Sequence, residues 1–327
     1  MNTTRRNLVL LPAALAVATI AGRPALAQTG YPAKMVKVIV PYSPGSNPDL
    51  AARIVLQGLS ERMGQPFVPE TRIGAGGAIG LTAAAKAPPD GYTLVVGHVG
   101  GMAINPAIYD KLPYDPIKDF TPITQIYKSP LLLLVAENSP YKSVADIVAA
   151  AKAQPDSLTY SSGGNGNGAH LSGESLASLS GVSMRHIPYK SVSDALVAVI
   201  TGDATFSFGN ISLGMPLVKG KKLRAIAFSG DARVAEYPEI ALVGDTVKGF
   251  EFNDWTGLLA PAGTPAPIVA RLQKEMAALA GHADTTARLR AQGLIPVNSS
   301  PQEFHKFLLS EQARWGKLAK AINLKLS

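Results

Sequence analysis

The chain reads as an α/β protein built on an open, mostly parallel sheet. Short β-branched runs alternate with amphipathic helical stretches. Small-residue loops rich in Gly, Ser and Asn sit directly after several strand runs, and helix-start signals follow them at once. In open sheets of this kind ligands sit at the carboxyl ends of the strands, so the same loops are where a site is expected.

The pattern is clearest at the first unit. Lys37-Val38-Ile39-Val40 is long enough for one buried strand. It runs into Pro41-Tyr42-Ser43-Pro44-Gly45-Ser46-Asn47, which neither a helix nor a sheet ladder absorbs. Ser46 or Asn47 is placed to cap a helix, Pro48 suits its first turn, and Asp49 stands four residues before Arg53 as an ion-pair partner. A strand, a small-residue loop and a helix N-terminus together point free backbone N–H groups at an anion.

Further units follow in order. Residues 67–70 read as a strand, and Gly74, Gly76, Gly77 and Gly80 open a helix through Ala85. Pro88-Pro89-Asp90-Gly91 is a turn, residues 92–97 a strand, and His98-Val99-Gly100-Gly101 a flexible loop. Residues 115–123 read as loop, followed by a strand over 131–135; Ser143 caps a helix through Lys152. A strand at 160–162 leads into Gly163-Gly164-Asn165-Gly166-Asn167-Gly168-Ala169-His170 and a helix through Leu179, which repeats the first unit in altered letters. Then come a short strand and turn over 186–190, a helix over 193–200, a strand at 204–208 ending at Gly209-Asn210, and strands at 223–228 and 255–260. Helices over 266–280, 283–292 and 301–322 close the chain. Two domains, if present, are joined by crossing strands near residues 125 and 253.

Composition narrows the chemistry. At 327 residues and 46% hydrophobic content the chain can bury one large core or two ordinary ones. The absence of cysteine removes disulfides, thiolate metal sites and a thiol nucleophile. Five scattered histidines with no H-x-x-x-H pair call for no metal. Arg5 and Arg6, an apolar run over 8–20 and Ala25-Leu26-Ala27 form a cleavable export signal covering residues 1–27. Thr4-Arg5-Arg6-Asn7-Leu8 suits a twin-arginine signal as well as a general secretory one. With no cysteine after the cleavage site, no membrane anchor is expected. Loss of three arginines and no acid takes the formal charge from +8 to +5. The remaining basic residues are dispersed and not interleaved with aromatics, so nucleic acid is not an expected partner.

Catalysis finds little support. There is no G-x-S-x-G elbow, P-loop or H-E-x-x-H. Gly74, Gly76 and Gly80 approximate a dinucleotide fingerprint, but the third glycine stands one position late, so no cofactor is expected. A serine hydrolase acting on small esters through Ser162 and His170 is the alternative from another class. Binding uses the same residues better. Loops 42–47 and 161–170 offer a carboxylate several N–H and hydroxyl donors, each charge-assisted bond contributing about 1.5–3 kcal/mol.

The series PYSPGSNPDLAAR, RIGAGGAIG, PPDGYTL, LPYDPIKDFTPI, YSSGGNGNGAHLSGE, HIPYK, KKLRAIA and W-x-G-L-L-A-P-A-G-T-P resembles the Bug-type solute receptors of tripartite tricarboxylate transporters. The likeness runs in order over nearly the whole mature chain. It implies a type II-like periplasmic binding protein of two α/β domains, each a mostly parallel sheet flanked by helices, with the ligand cleft between. On this reading residues 28–125 with 253–327 form one domain and 126–252 the other. It implies carboxylate donors at Tyr42, Ser43, Gly45 and Ser46, and at Ser162, Gly163, Asn165, Gly166 and His170. Gly77, His98 and Asn210 complete the expected ligand set, with the 97–101 loop as a specificity determinant. One departure stands out: the family's usual second glycine of the first loop is Ser46 here, where φ > 0 would be costly. The implied role is capture of a small organic acid or amino-acid-like ligand in the periplasm. Delivery is to permease subunits of a tripartite tricarboxylate transporter or to a sensor kinase.

Mature protein recovered from the periplasm is expected to begin at Gln28. N-terminal sequencing that starts at Met1 in exported material would remove the signal-peptide assignment.

Overall fold

A computed structural model describes residues 30–325, and the export signal expected over 1–27 lies outside them. The compact unit begins at Pro32. Its strands are β1 (Val36–Val40), β2 (Phe67–Thr71), β3 (Thr93–His98), β4 (Phe120–Ala136), β5 (Thr159–Ser162), β6 (Arg185–Pro188), β7 (Phe206–Asn210), β8 (Leu223–Phe228), β9 (Ala241–Leu242), β10 (Asn253–Pro261) and β11 (Ile295–Pro296). The main path runs β2-β1-β3-β10-β4-β7-β5-β6, with β8 and β11 also on β4 and β9 on β8. On one side β1 pairs parallel with β2 and β3; on the other β5 pairs parallel with β6 and β7. Between them β10 is antiparallel to β3 and β4, and β4 is antiparallel to β7 and β8. Two parallel arrays thus flank a pair of long antiparallel strands.

The 17-residue β4 serves both arrays. Its first part, Phe120 to Pro130, pairs with β10; from Leu131 onward it pairs with β7 and β8. The loop expected over 115–123 is therefore wrong from Phe120. Thr121 and Pro122 carry turn chemistry, but buried backbone groups need partners and β10 supplies them. The ladder accommodates Pro122 by a register shift between Leu258 and Leu259.

Local signals explain most helices. Asn47–Met63 starts at Ser46 (φ −70°, ψ 158°) and stops at left-handed Gly64. Val144–Ala153 begins with a capping box between Ser143 and Asp146. Gly168–Ser180 is capped by Asn167, whose side chain accepts from the His170 N–H at 2.9 Å. Residues 100–104 form a π-helical turn that leads into the helix Asn105–Ile108, where a flexible loop was expected over 98–101. Ile211–Lys219, for which the sequence suggested no element, is helical although Gly214 and Pro216 argue against it. Burial of Ile211 and Met215 outweighs propensity there, and Gly214 has no side chain to collide with Leu132 and Leu134.

Strand alternation divides β10 between two duties. Trp255 points to the C-terminal helix Pro301–Ala321 and packs edge-on against Phe304 and Phe307, 5.9 and 5.2 Å between ring centroids. The buried Glu311 carboxylate of that helix accepts from Trp255 Nε1 (2.7 Å), Trp315 Nε1 (3.2 Å) and Arg314 Nη1 (3.0 Å). Asp254 and Thr256 point the other way. At Gly257 the Phe304 ring lies directly on the backbone, where a methyl group would overlap it.

Gly257→Ala is expected to lower the unfolding free energy by about 1–3 kcal/mol through this overpacking. Urea denaturation checks it: the midpoint falls with an unchanged slope, and an unaltered midpoint would mean that the Phe304 ring moves away freely.

Candidate functional site

Sheet register determines where the strand ends meet. His98, the last residue of β3, pairs with Thr256, and Thr256 pairs with Tyr127 of β4. Asn210, the last residue of β7, pairs with Leu131. The carboxyl ends of the two parallel arrays therefore face one stretch of β4, Tyr127 to Leu131, about 13 Å long at strand rise.

The first loop is held by its own side chains. Gly45 N–H donates to Asp49 Oδ2 (2.9 Å), and Arg53 Nε donates to both Asp49 oxygens at 3.0 Å, which is the expected Asp49–Arg53 pair. Ser46 N–H and Oγ both donate to the Ser43 carbonyl, at 3.1 and 2.6 Å. Ser46 is extended and Gly45 alone takes positive φ (79°), so the serine is accommodated without strain. Two expected anion donors, the N–H groups of Gly45 and Ser46, are thus already engaged. The Ser43 hydroxyl is exposed and, among the described residues, has no protein partner.

A polar hub joins this loop to the crossing strands. Asp254 Oδ2 accepts from Asn47 Nδ2 (3.2 Å) and the Tyr127 hydroxyl (3.3 Å), and Oδ1 accepts from His98 Nε2. Thr256 Oγ1 donates to the Tyr127 hydroxyl at 3.0 Å. Gly100 N–H donates to His98 Nδ1 (3.2 Å), so the ring proton sits on Nε2. Both His98 nitrogens are engaged within the protein. Tyr42 tilts against the His98 ring at 5.0 Å, and its hydroxyl is buried beside Gly77 and Gly101. A Cβ on either glycine would stand 3.1 or 3.0 Å from that oxygen; Gly77 moreover takes φ 95°, and at Gly101 a Cβ would overlap Leu81. The hydroxyl lies near the Gly101 and His98 backbone but makes no hydrogen bond of normal geometry. Burial, reinforced for both phenols by the Asp254 charge, pushes Tyr42 and Tyr127 up, so both remain protonated donors.

The second loop rests on an aromatic stack. His170 and His186 lie ring on ring at 3.9 Å, Tyr160 stacks 5.0 Å from His186, and Phe206 lies 5.6 Å from Tyr160. His170 Nδ1 accepts from Gly166 N–H (3.0 Å), while Nε2 stands 3.5 Å from Glu174. Glu174 also accepts from the Tyr160 hydroxyl. Burial raises the Glu174 carboxyl, but the His170 and Tyr160 hydrogen bonds outweigh it and hold the group below its ordinary value. Ser162 is fully buried, with Oγ 2.7 Å from His186 Nε2 and 2.9 Å from the Gly164 carbonyl. The Ser162–His170 pair that a hydrolase would need is not formed: His170 turns to Gly166 and Glu174, and Ser162 meets His186. His186 went unassigned in the sequence because nothing in its local letters places it against residue 162; parallel pairing of β5 with β6 does so. Asn165 is exposed, and its amide has no protein partner among the described residues.

Of the expected set, Tyr42, Gly77 and His98 converge with Gly101 around one hydroxyl, and Ser43, Gly45 and Ser46 form the adjoining turn. Ser162, Gly163, Asn165, Gly166 and His170 share the second loop, and Asn210 stands at the N-terminus of the helix after β7 without a side-chain capping bond. Among the described residues, no three His, Cys, Asp or Glu side chains are grouped to hold a metal ion. An apolar groove of about 420 Å³ lies beside the 75–79 turn, lined by Ala78, Ile79, Tyr109 and Leu112. It lies outside this constellation and offers an anion little beyond exposed Lys111.

Two parallel arrays bridged by crossing strands, with donor loops at the junction, define an α/β protein of the periplasmic binding protein class. The sequence matches the profile of the tripartite tricarboxylate transporter family receptor over residues 51–324, and the chain belongs to that family. BugT of Bordetella pertussis is 29% identical, covering 100% of both chains. A solved periplasmic transporter is 36% identical with a TM-score of 0.78, covering 91% of this chain and 100% of its own. Rpa4515 of R. palustris, solved with adipate, is 34% identical with a TM-score of 0.79, covering 90% and 99%. MatC of Rhodopseudomonas palustris, solved with bound malate, is 30% identical with a TM-score of 0.74, covering 88% and 99%.

Burial, reinforced by the neighbouring His170 ring, lowers His186 from 6.5 to about 4. Between those values the unfolded chain takes up a proton that the folded one does not, so stability falls as pH drops from about 6.5 to about 4. Unfolding free energy measured across this window is expected to decline less in His186→Gln. An identical pH slope in the variant would assign the loss to other groups.

Proposed function

We propose that this protein is a periplasmic solute receptor that captures a small organic carboxylate and presents it to the membrane subunits of a tripartite transporter or to a sensor. The reading is carried by the convergence of both sets of strand carboxyl ends on Tyr127 to Leu131, with a donor-rich loop on each side. Relatives solved with adipate and malate support the ligand class. Residues 28–125 with 253–327 form one lobe and 126–252 the other, with β4 and β10 as the hinge between them. No helix among the described residues is long and apolar enough to cross a membrane.

Within the cleft, Ser43, Asn165 and Asn210 are side chains free to donate, joined by backbone N–H groups at Gly163 and Asn165. Tyr42 supplies a neutral phenol, and Gly77 makes room for it. His98, Ser162 and His170 hold the loops in shape. No catalytic role is assigned to Ser162, because its hydroxyl is buried and engaged with His186 and Gly164.

A micromolar ligand needs about 8 kcal/mol, within reach of three or four charge-assisted bonds plus burial after ordering costs. Calorimetry of mature protein against small carboxylates, adipate and malate included, should find saturable binding without turnover. The corresponding amide should lose most of that affinity, since its NH₂ meets donors. Equal affinity for acid and amide, or ester turnover lost in Ser162→Ala, would overturn the reading.

A further inference from the structure

Asp254 differs from the other buried acids of this fold. Asp49, Glu275 and Glu311 are each buried and each paired with an arginine: Arg53 at 3.0 Å, Arg62 at 2.8 Å and Arg314 at 3.0 Å. Asp254 is buried too, yet among the described residues neither lysine nor arginine reaches it. Its donors are the Asn47 amide, the Tyr127 phenol and His98. The Gly100 N–H on Nδ1 leaves His98 donating through a neutral ring, which brings a dipole and not a full charge. A carboxylate accommodates about four donors; here Oδ1 accepts from His98 alone.

Position makes this matter. Asp254 pairs with Ser129, inside the Tyr127 to Leu131 stretch where the strand ends converge, and on the β10 face opposite Trp255. Its Asn47 partner adjoins the first loop, and its His98 partner carries Tyr42, whose buried hydroxyl has no partner. The side chains of Asp254 and His98 keep 11% and 20% of their surface exposed, so a ligand group can reach them. An uncompensated buried anion repels a second carboxylate and favours a cation or a strong donor.

Resting on the receptor reading above, we propose that Asp254, set by His98 and Asn47, is the specificity determinant of the cleft and selects carboxylates that also bear an ammonium group over dicarboxylates. One end of the ligand meets the loop donors, and the ammonium group donates to the open side of Asp254 Oδ1. Binding then leaves no buried charge unpaired.

Two matched probe pairs test it by calorimetry: 4-aminobutanoate against succinate, and 6-aminohexanoate against adipate. In at least one pair the wild-type protein should bind the amino acid tenfold or more tightly than the diacid. Asp254→Asn should erase that preference by weakening the amino acid and leaving the diacid unchanged or tighter. Asp231→Asn, which removes an acid paired with Lys128 at 2.8 Å, should leave the preference intact. Diacids binding tighter in both wild-type pairs would overturn the proposal and leave the receptor reading standing. Should Asp254→Asn fail to fold, the wild-type pairs decide alone. No binding of any of the four, with none for other carboxylates, would sink both readings.

Discussion

The pairing of β4 with β10 along one half of its length, and with β7 and β8 along the other, is the constraint from which the rest follows. A 17-residue strand that is almost wholly buried cannot leave its backbone groups unpaired. It must therefore find ladder partners on both sides of its midpoint. The parallel arrays attached through those partners then present their carboxyl ends to the same few residues. Side-chain alternation does the rest: Trp255 and the aromatic helix take one face of β10, while Asp254 and Thr256 take the face toward His98 and Tyr127. A slip of one residue would exchange these faces, which explains why the ladder absorbs its irregularities near Pro122 and Gln125 as local shifts.

The two loops at this junction reach the same end by different chemistry. The first is braced by charge, with Asp49 holding Gly45 N–H and Arg53 together at the start of a helix. The second is braced by stacking, with His170 and His186 laid on Tyr160 and Phe206, and by Asn167 and His170 taking backbone N–H groups. Both consume several of the donors that a glycine-rich loop offers when read as letters. The side chains left without protein partners are a smaller set, Ser43, Asn165 and Asn210. Bracing the loops before a ligand arrives limits the ordering cost of binding.

Charge is distributed to match. The acids of the core carry arginine partners, and the surface pairs such as Lys37 with Glu70 and Arg233 with Asp245 are exposed enough to contribute little to stability. Asp254 stands apart because its neighbours are neutral donors, a costly arrangement for a purely structural acid. The hub ties Asn47, His98, Tyr127 and Thr256 into one network, so a change at any member is felt at the others.

Much of this protein was legible in the letters. The strand–loop–helix units, the Ser143 cap, the Asp49–Arg53 pair and the two donor loops all arise from interactions within a few residues, which periodicity and capping chemistry report directly. Family resemblance added the receptor class and the order of the units. The letters failed where partners lie far away in sequence. Residues 120–123 carry turn chemistry yet form strand because β10 requires it, and Ile211–Lys219 is helical despite Pro216 because its apolar face is buried. His186 meets Ser162 through sheet pairing across 24 residues, and Asp254 meets His98 across 156. Local sequence thus determined the elements and the loops that could bind, because their energies are local. Only the tertiary structure decided which donors stay free and which acid lacks a counter-charge, because both depend on groups that pairing of distant strands brings together.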